Sequence, residues 1–98
     1  MITQTKNKVQ HYLDLKMHDR LKFFRGNNLE CIMEIDNILN GEMGGYIKND
    51  RGTYRFKTIE RGYKSLFNGG GVYNFGKGSG RRIHIRLELP KFCEFRRE

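Results

Sequence analysis

The segment from Arg81 to Leu89 alternates between polar and apolar side chains with the period of a β-strand. The apolar row is Ile83, Ile85, Leu87 and Leu89, and the polar row is Arg82, His84, Arg86 and Glu88. Because successive side chains of a strand point to opposite faces of a sheet, the segment predicts one buried aliphatic row and one mostly basic surface row. Pro90 ends the run, since proline has no N–H to donate to a neighbouring strand. The chain must therefore build a sheet with one face on a core and one positively charged face.

The length of 98 residues predicts a single small domain, residues 1–98, with a hydrophobic fraction of 37% that suffices for one core. No apolar run approaches the roughly 20 residues that a membrane-spanning helix needs, and the N-terminal residues lack the apolar core of a secretion signal. We therefore expect a cytoplasmic protein with no membrane association.

Cysteines and histidines are few and scattered. The chain has two cysteines, Cys31 and Cys93, and three histidines, His11, His18 and His84. Their spacing matches neither a zinc site nor a disulfide framework, so we predict two reduced thiols, no metal and no cofactor.

Positive charge is concentrated in the second half of the sequence. Residues 1–50 hold seven Lys/Arg and seven Asp/Glu, whereas residues 51–98 hold twelve and four, so 12 − 4 = +8 accounts for the whole net charge. Between Arg25 and Lys48 there is no cation. The acids in that interval are Glu30, Glu34, Asp36 and Glu42. This separation predicts a partner that carries phosphates or an acidic surface.

The first third of the chain shows helical spacing. From about Thr5 to Arg25, apolar residues recur every three or four positions, at Val9, Tyr12, Leu13, Met17, Leu21 and Phe24. This stripe predicts an amphipathic helix that ends near Gly26 and packs on the sheet.

The segment Leu29 to Leu39 fits two structures. Leu29, Cys31, Met33 and Ile35 alternate as in a strand, but Leu29, Ile32, Met33, Asp36 and Leu39 also form a helical stripe, with Asn28 as an N-cap. The helix is slightly favoured. Asn40-Gly41 and Gly44-Gly45 then predict turns.

The remaining segments predict strands. Tyr46–Lys48 and Thr53–Ile59 form a hairpin through the turn Asn49–Gly52. The glycine-rich segment Asn68–Gly80 contains either a short strand, Val72–Phe75, that pairs with Ile83–Leu89, or a single mobile loop over a ligand. The predicted fold is therefore α+β: an N-terminal amphipathic helix and a possible second short helix, packed on an antiparallel sheet of three to five strands.

Basic residues beside aromatic residues and glycines favour non-enzymatic binding of nucleic acid, with RNA before DNA. The predicted phosphate contacts are Arg55, Lys57, Lys77, Arg81, Arg82 and Arg86, and the predicted stacking residues are Tyr73 and Phe75. If the strands share a sheet, Arg55 and Lys57 join Arg82 and Arg86 in one basic surface. The alternative for the two aromatic residues is a place in the core.

A second interpretation is an inhibitor or adaptor that docks its basic face onto an acidic protein surface, such as the nucleic-acid channel of a nuclease or defence complex. Small size and uneven charge are typical of accessory proteins of phages and mobile elements. The acidic interval from Glu30 to Glu42 slightly favours this interpretation, and it also suits self-association.

Two enzymatic interpretations are weaker. A ribonuclease would use His84 with Arg82, Arg86 and Glu88 as acid, base and charge-stabilising groups. The segment Gly71–Lys77 has the glycine spacing and the lysine of a P-loop, but Gly78 stands where that motif needs Ser or Thr, and a strand rather than a helix follows.

Overall fold

The computed structural model describes residues 8–57, 63–67, 70–76 and 82–98. These residues form nine β-strands in two antiparallel sheets. The strands are β1 (Lys8–Lys16), β2 (Arg20–Arg25), β3 (Asn28–Leu39), β4 (Glu42–Asn49), β5 (Gly52–Phe56), β6 (Tyr63–Phe67), β7 (Gly70–Gly76), β8 (Arg82–Pro90) and β9 (Cys93–Arg97). The four-stranded sheet has the order β1-β8-β7-β6, and the five-stranded sheet has the order β5-β4-β3-β2-β9.

The core lies between the two sheets. Its buried apolar residues are Leu15, Leu21, Phe23, Cys31, Met33, Ile35, Ile38, Met43, Leu66, Val72, Ile83, Ile85, Leu87, Leu89 and Cys93. The four aliphatic residues of β8 are all buried, as their alternation predicts. The sheets thus face each other as a β-sandwich, and alternate side chains of strands such as β2 point inward.

The prediction of an α+β fold with an N-terminal helix is wrong, because the described residues contain no helix. The segment Thr5–Arg25 instead supplies β1 and β2, joined by a turn at Met17–Asp19. The helical stripe omitted Leu15 and Phe23, which are fully buried, and included Tyr12, which is 66% exposed. Burial therefore follows a period of two. The prediction of one sheet of three to five strands is likewise wrong, because the strands form two sheets.

The preference for helix over Leu29–Leu39 is also wrong, and the strand alternative holds. Every second residue in the middle of β3 points into the core, namely Cys31, Met33 and Ile35. A register shift between Ile35 and Asn37 marks a β-bulge, after which Ile38 points inward. Of the apolar residues in the predicted helical stripe, only Met33 is fully buried, whereas Leu29 and Leu39 are 50% and 64% exposed.

The turn predicted at Asn40-Gly41 is confirmed, but the turn predicted at Gly44-Gly45 is wrong, because both glycines lie within β4 and pair with β3. Asn40 and Gly41 have φ values of 56° and 80° and join β3 to β4, as in a type I′ hairpin turn. The β4–β5 hairpin is confirmed, and the Asn49 Oδ1 accepts a hydrogen bond of 2.8 Å from the Arg51 N–H. Thr58 and Ile59, the predicted end of its second strand, lie outside the described residues.

The strand reading of the glycine-rich segment is confirmed. Val72–Phe75 lies within β7, which pairs with β8. Because Gly71 to Gly76 is extended, this segment does not form the loop and helix N-terminus that a P-loop requires. The alternative of one mobile loop does not apply to residues 70–76.

Both cysteines are buried and free. Cys31 on β3 and Cys93 on β9 flank β2, where their register partners are Phe23 and Arg25. Two strand spacings put their backbones about 10 Å apart, beyond the reach of a disulfide. Burial, followed by the charge of Glu30, raises the pKa of the Cys31 thiol to about 12, so this thiol stays protonated at neutral pH.

Asp19 ties the two sheets together where β1 turns into β2. Its buried Oδ2 accepts hydrogen bonds from the Lys16 N–H at 2.9 Å and from Arg97 Nη1 at 2.6 Å. The backbone adds bonds from His18 N–H to Ile35 O and from Ile35 N–H to Asp19 O. One carboxylate thus connects β1, β2 and β9.

We expect Asp19→Ala to lower the free energy of unfolding by about 2 kcal/mol, because a buried N–H and a guanidinium lose a charged acceptor. Urea denaturation measures this change. Glu42→Ala, which removes an exposed carboxylate, is the control and should change stability by less than about 0.5 kcal/mol. Equal effects for the two variants would contradict the role of Asp19.

His11 gives the fold a sensitivity to acid. Its ring lies 5.2 Å from the Phe95 ring, edge to face, on the inner side of β1. Burial lowers the pKa of His11 from the usual 6.5. The unfolded chain therefore binds this proton at a higher pH than the folded chain. The stability that this difference in pKa contributes to the folded protein is present above pH 6.5 and is lost as the pH falls below 6.5.

We expect His11→Gln to reduce this acid sensitivity. Denaturation of both proteins at pH values about one unit above and below 6.5 measures it, and the wild type should lose more stability than the variant. Identical losses would show that His11 does not carry the pH dependence.

Candidate nucleic-acid interface

The outward-pointing side chains of β1 and β8 form one continuous surface, which we call the β1–β8 face. It consists of Lys8, Gln10, Tyr12, Asp14 and Lys16 on β1 and of Arg82, His84, Arg86 and Glu88 on β8. Antiparallel pairing sets these residues side by side across the two strands. Four cations and two carboxylates give the face a formal charge of 4 − 2 = +2, before any proton on His84.

The most exposed cations lie at the Lys16 end of the face. Lys16 is exposed and lies opposite Arg82, whose side chain is 56% exposed. Asp14 lies beside them, and its Oδ2 accepts a bond of 2.7 Å from Arg82 Nη1. Its Oδ1 is 3.7 Å from Nδ1 of His84, which is 62% exposed. This end therefore offers several donors and one carboxylate to a ligand.

Tyr12 adds an aromatic ring in the middle of the face. It is 66% exposed and lies opposite Arg86 in the register. Its hydroxyl donates to Gln10 Oε1 at 3.3 Å, which holds the phenol along the strand. An exposed ring among cations is a suitable platform for stacking a base.

The residues of the ribonuclease interpretation are spread along one strand. His84 and Glu88 are four residues apart, or about 13 Å at the rise of a strand. Glu88 is only 7% exposed and lies 3.9 Å from the Lys8 ammonium. A general acid and a general base must both reach one phosphate, and this spacing does not bring them together.

Arg55 and Lys57 are not part of the β1–β8 face. Arg55 lies on β5 in the five-stranded sheet, whereas Arg82 and Arg86 lie on β8 in the other sheet, so the condition for one shared basic surface is not met. Arg55 pairs with Asp36 and stacks 5.5 Å from the Tyr46 ring centre. Asp36, Arg55 and Lys57 border a shallow pocket of about 320 Å³.

The acidic interval of the sequence is balanced by cations on neighbouring strands. Glu30 lies 3.4 Å from Arg25, Glu34 lies 3.7 Å from Arg20, and Asp36 pairs with Arg55. The Tyr46 hydroxyl also donates to Glu34, and this bond raises the pKa of the phenol. Three of the four acids of the interval are thus paired with cations in space, although they are separated from cations along the chain.

The C-terminal residue extends this pairing. Glu98 contacts Lys22 at 2.9 Å and Arg20 at 3.3 Å. The bond from Lys22 lowers the pKa of the Glu98 carboxyl. Each exposed pair contributes little stability, but together they neutralise much of the outer side of the five-stranded sheet.

Tyr73 and Phe75, two further predicted site residues, lie on β7. The Cα of Tyr73 is opposite Arg86, and Phe75 follows on the same strand at a register shift between Asn74 and Gly76. Lys77 and Arg81 lie outside the described residues. Of the glycine-rich segment that was predicted to contact phosphates, the described residues therefore include only the strand β7.

An apolar cavity of about 160 Å³ opens between the edges of the two sheets. It is lined by Met33, Ile47, Tyr54, Arg55, Phe56, Ser65, Leu66 and Val72. These residues belong to β3, β4, β5, β6 and β7, so the cavity lies apart from β1 and contributes nothing to the β1–β8 face.

Sequence reasoning missed Tyr12, Asp14 and Lys16, because it placed them on a helix. Their signal was the alternation of Gln10, Tyr12, Asp14 and Lys16 with His11, Leu13 and Leu15. That pattern predicts a strand whose outward row matches the polar row of β8.

Within the part of the chain that the structure describes, no helix is long and apolar enough to cross a membrane. The same residues hold no cluster of three or more histidine, cysteine or acidic side chains that suits a metal ion. Comparison of the chain with models of known families, with curated proteins and with solved structures found no match in any of the three.

Proposed function

We propose that this protein binds single-stranded nucleic acid, RNA before DNA, without catalysing a reaction, and that the β1–β8 face is the binding surface. The observation that carries the proposal is the exposed Tyr12 ring among Lys16, Arg82, His84 and Arg86. Cations supply phosphate contacts, and an exposed aromatic ring stacks an unpaired base.

The geometry of the face suits a linear polyanion. Alternate residues of a strand are about 6.7 Å apart, so Arg82, His84 and Arg86 form a row of donors along β8. The row on β1 runs beside it and adds Lys16 at one end. Two adjacent rows form a strip that follows a single strand more naturally than the curved groove of a duplex.

The charge distribution supports the same choice of surface. On the five-stranded sheet, Arg20, Lys22 and Arg55 are each engaged with a carboxylate. On the β1–β8 face, Arg82 is likewise paired with Asp14, but Lys16 is exposed and has no carboxylate partner among the described residues.

Fluorescence anisotropy tests the proposal. Purified, nuclease-treated protein is titrated with single-stranded RNA, duplex RNA and duplex DNA at several salt concentrations. We expect micromolar or tighter binding that is strongest for single-stranded RNA. Three or four phosphate contacts give a slope of log K against log salt of about −2 to −3, since each contact to a single strand contributes about −0.7.

Two outcomes contradict the proposal. Absence of binding at low salt would reassign the basic face to docking on an acidic protein, and a pull-down would then identify that partner. Recovery of RNA cleavage products after incubation with the protein would show that the protein is an enzyme.

A further inference from the structure

Asp14 is an acid in the middle of a surface that would hold phosphates better without it. It lies on the β1–β8 face between Tyr12 and Lys16 and opposite His84. A carboxylate repels phosphate oxygens, so a face that only collects phosphates gains nothing from it. A carboxylate is, however, an acceptor for the N–H groups on the edge of a base.

The position of Asp14 relative to Tyr12 suits contact with a base edge. The two residues are two apart on one strand face, which separates their Cα atoms by about 6.7 Å. A base that is stacked on the Asp14 side of the exposed Tyr12 ring can therefore present one edge to Asp14. The Asp14 Oδ2 is engaged with Arg82 at 2.7 Å, whereas its Oδ1 is 3.7 Å from His84 Nδ1, beyond hydrogen-bond distance. Oδ1 thus retains acceptor capacity for a ligand.

The bases differ in how they match a carboxylate flanked by donors. Guanine presents adjacent N1–H and N2–H donors, and its O6 acceptor lies next to them on the same edge. Adenine and cytosine each place an acceptor beside a single amino group, and uracil has one N–H between two carbonyls. Only guanine offers two neighbouring donors to Asp14 together with an acceptor for Arg82 or His84.

We propose that the β1–β8 face selects an unpaired guanine, stacked on Tyr12, with its N1–H and N2–H groups donating to Asp14 and its O6 accepting from Arg82 or His84. This inference rests on the proposed function and adds the identity of the preferred base. Because Watson–Crick pairing occupies the same edge, the preference applies to single strands only.

Anisotropy with single-site oligonucleotides tests the preference. Short oligouridine strands carry guanine, adenine, cytosine, uracil or hypoxanthine at one central position. We expect the guanine strand to bind about five-fold or more tightly than the adenine, cytosine and uracil strands. Hypoxanthine keeps N1–H and O6 but lacks the N2 amino group, so its strand should bind between guanine and adenine.

The variant Asp14→Asn separates base reading from a structural role. Asparagine keeps the side-chain size and removes the negative charge, so we expect tighter binding to the adenine, cytosine and uracil strands, no such gain for the guanine strand, and therefore loss of the guanine preference. Glu94→Gln, an exposed acid of β9 in the other sheet, is the matched control and should keep the preference. The test with hypoxanthine uses the wild-type protein and does not depend on folding of the variant.

The outcomes distinguish the two proposals. Binding of all five strands with equal affinity would overturn the guanine preference and leave nucleic-acid binding in place. A guanine preference that persists in Asp14→Asn would overturn the role of Asp14. Absence of binding to every strand would overturn the proposed function itself.

Discussion

Gly45→Ala is expected to lower the free energy of unfolding by about 3 kcal/mol or more. A Cβ atom on Gly45 would lie 2.0 Å from the carbonyl oxygen of Glu34 and 3.1 Å from the Cα of Ile35. Both are backbone atoms of β3, the strand that pairs with β4. They cannot rotate away as a side chain does, so the ladder between the two strands must open.

Gly44→Ala is the matched control for this prediction. Its Cβ would lie 3.2 Å from the Lys57 carbonyl oxygen, a contact that a shift of a few tenths of an ångström relieves. We expect a loss of about 1 kcal/mol or less. Urea denaturation of both variants gives the comparison. If Gly45→Ala is no more destabilising than Gly44→Ala, β3 and β4 do not approach each other at Gly45 as closely as described.

Joint replacement of Lys16 and Arg82 by alanine is expected to weaken binding of single-stranded RNA by about tenfold or more at low salt. The two side chains lie opposite each other at the exposed end of the β1–β8 face. Loss of two phosphate contacts reduces the magnitude of the salt slope by about 1.4. Because phosphates carry no sequence information, the loss should be similar for all strands.

The control for net charge is the joint replacement of Lys48 and Arg51 by alanine. Both are exposed cations, on β4 and in the β4–β5 turn of the other sheet. We expect this variant to keep the salt slope and most of the affinity of the wild type. Equal losses in the two double variants would mean that binding follows total charge and that the β1–β8 face is not the site.

The sequence was sufficient to predict the strands in which the alternation of polar and apolar residues is unbroken. The aliphatic row of β8 and the hairpin of β4 and β5 follow from alternation and from the turn residues Asn49–Gly52. The N-terminal segment was misread, because its turn lacks glycine and proline. His18 takes the left-handed conformation there, with φ of 71°, and no local residue type signals it.

The site was only half predictable, for a topological reason. Arg82 and Arg86 were identified on β8, but Asp14 is 68 residues away from Arg82 in sequence and meets it only because β1 pairs with β8. The pairing of Arg55 with Asp36 across the five-stranded sheet depends on strand order in the same way. Charge counted along a chain does not show which charges remain uncompensated in a folded sheet.

Titration of the ¹⁵N-labelled protein with single-stranded RNA, followed by amide chemical shifts, tests the account most directly, because it locates the contact surface. The largest shifts should fall on β1 and β8, at Tyr12, Asp14, Arg82 and His84, while β4 and β5 change little. Shifts concentrated on β4 and β5, with β1 and β8 unaffected, would contradict the assignment of the β1–β8 face as the binding surface.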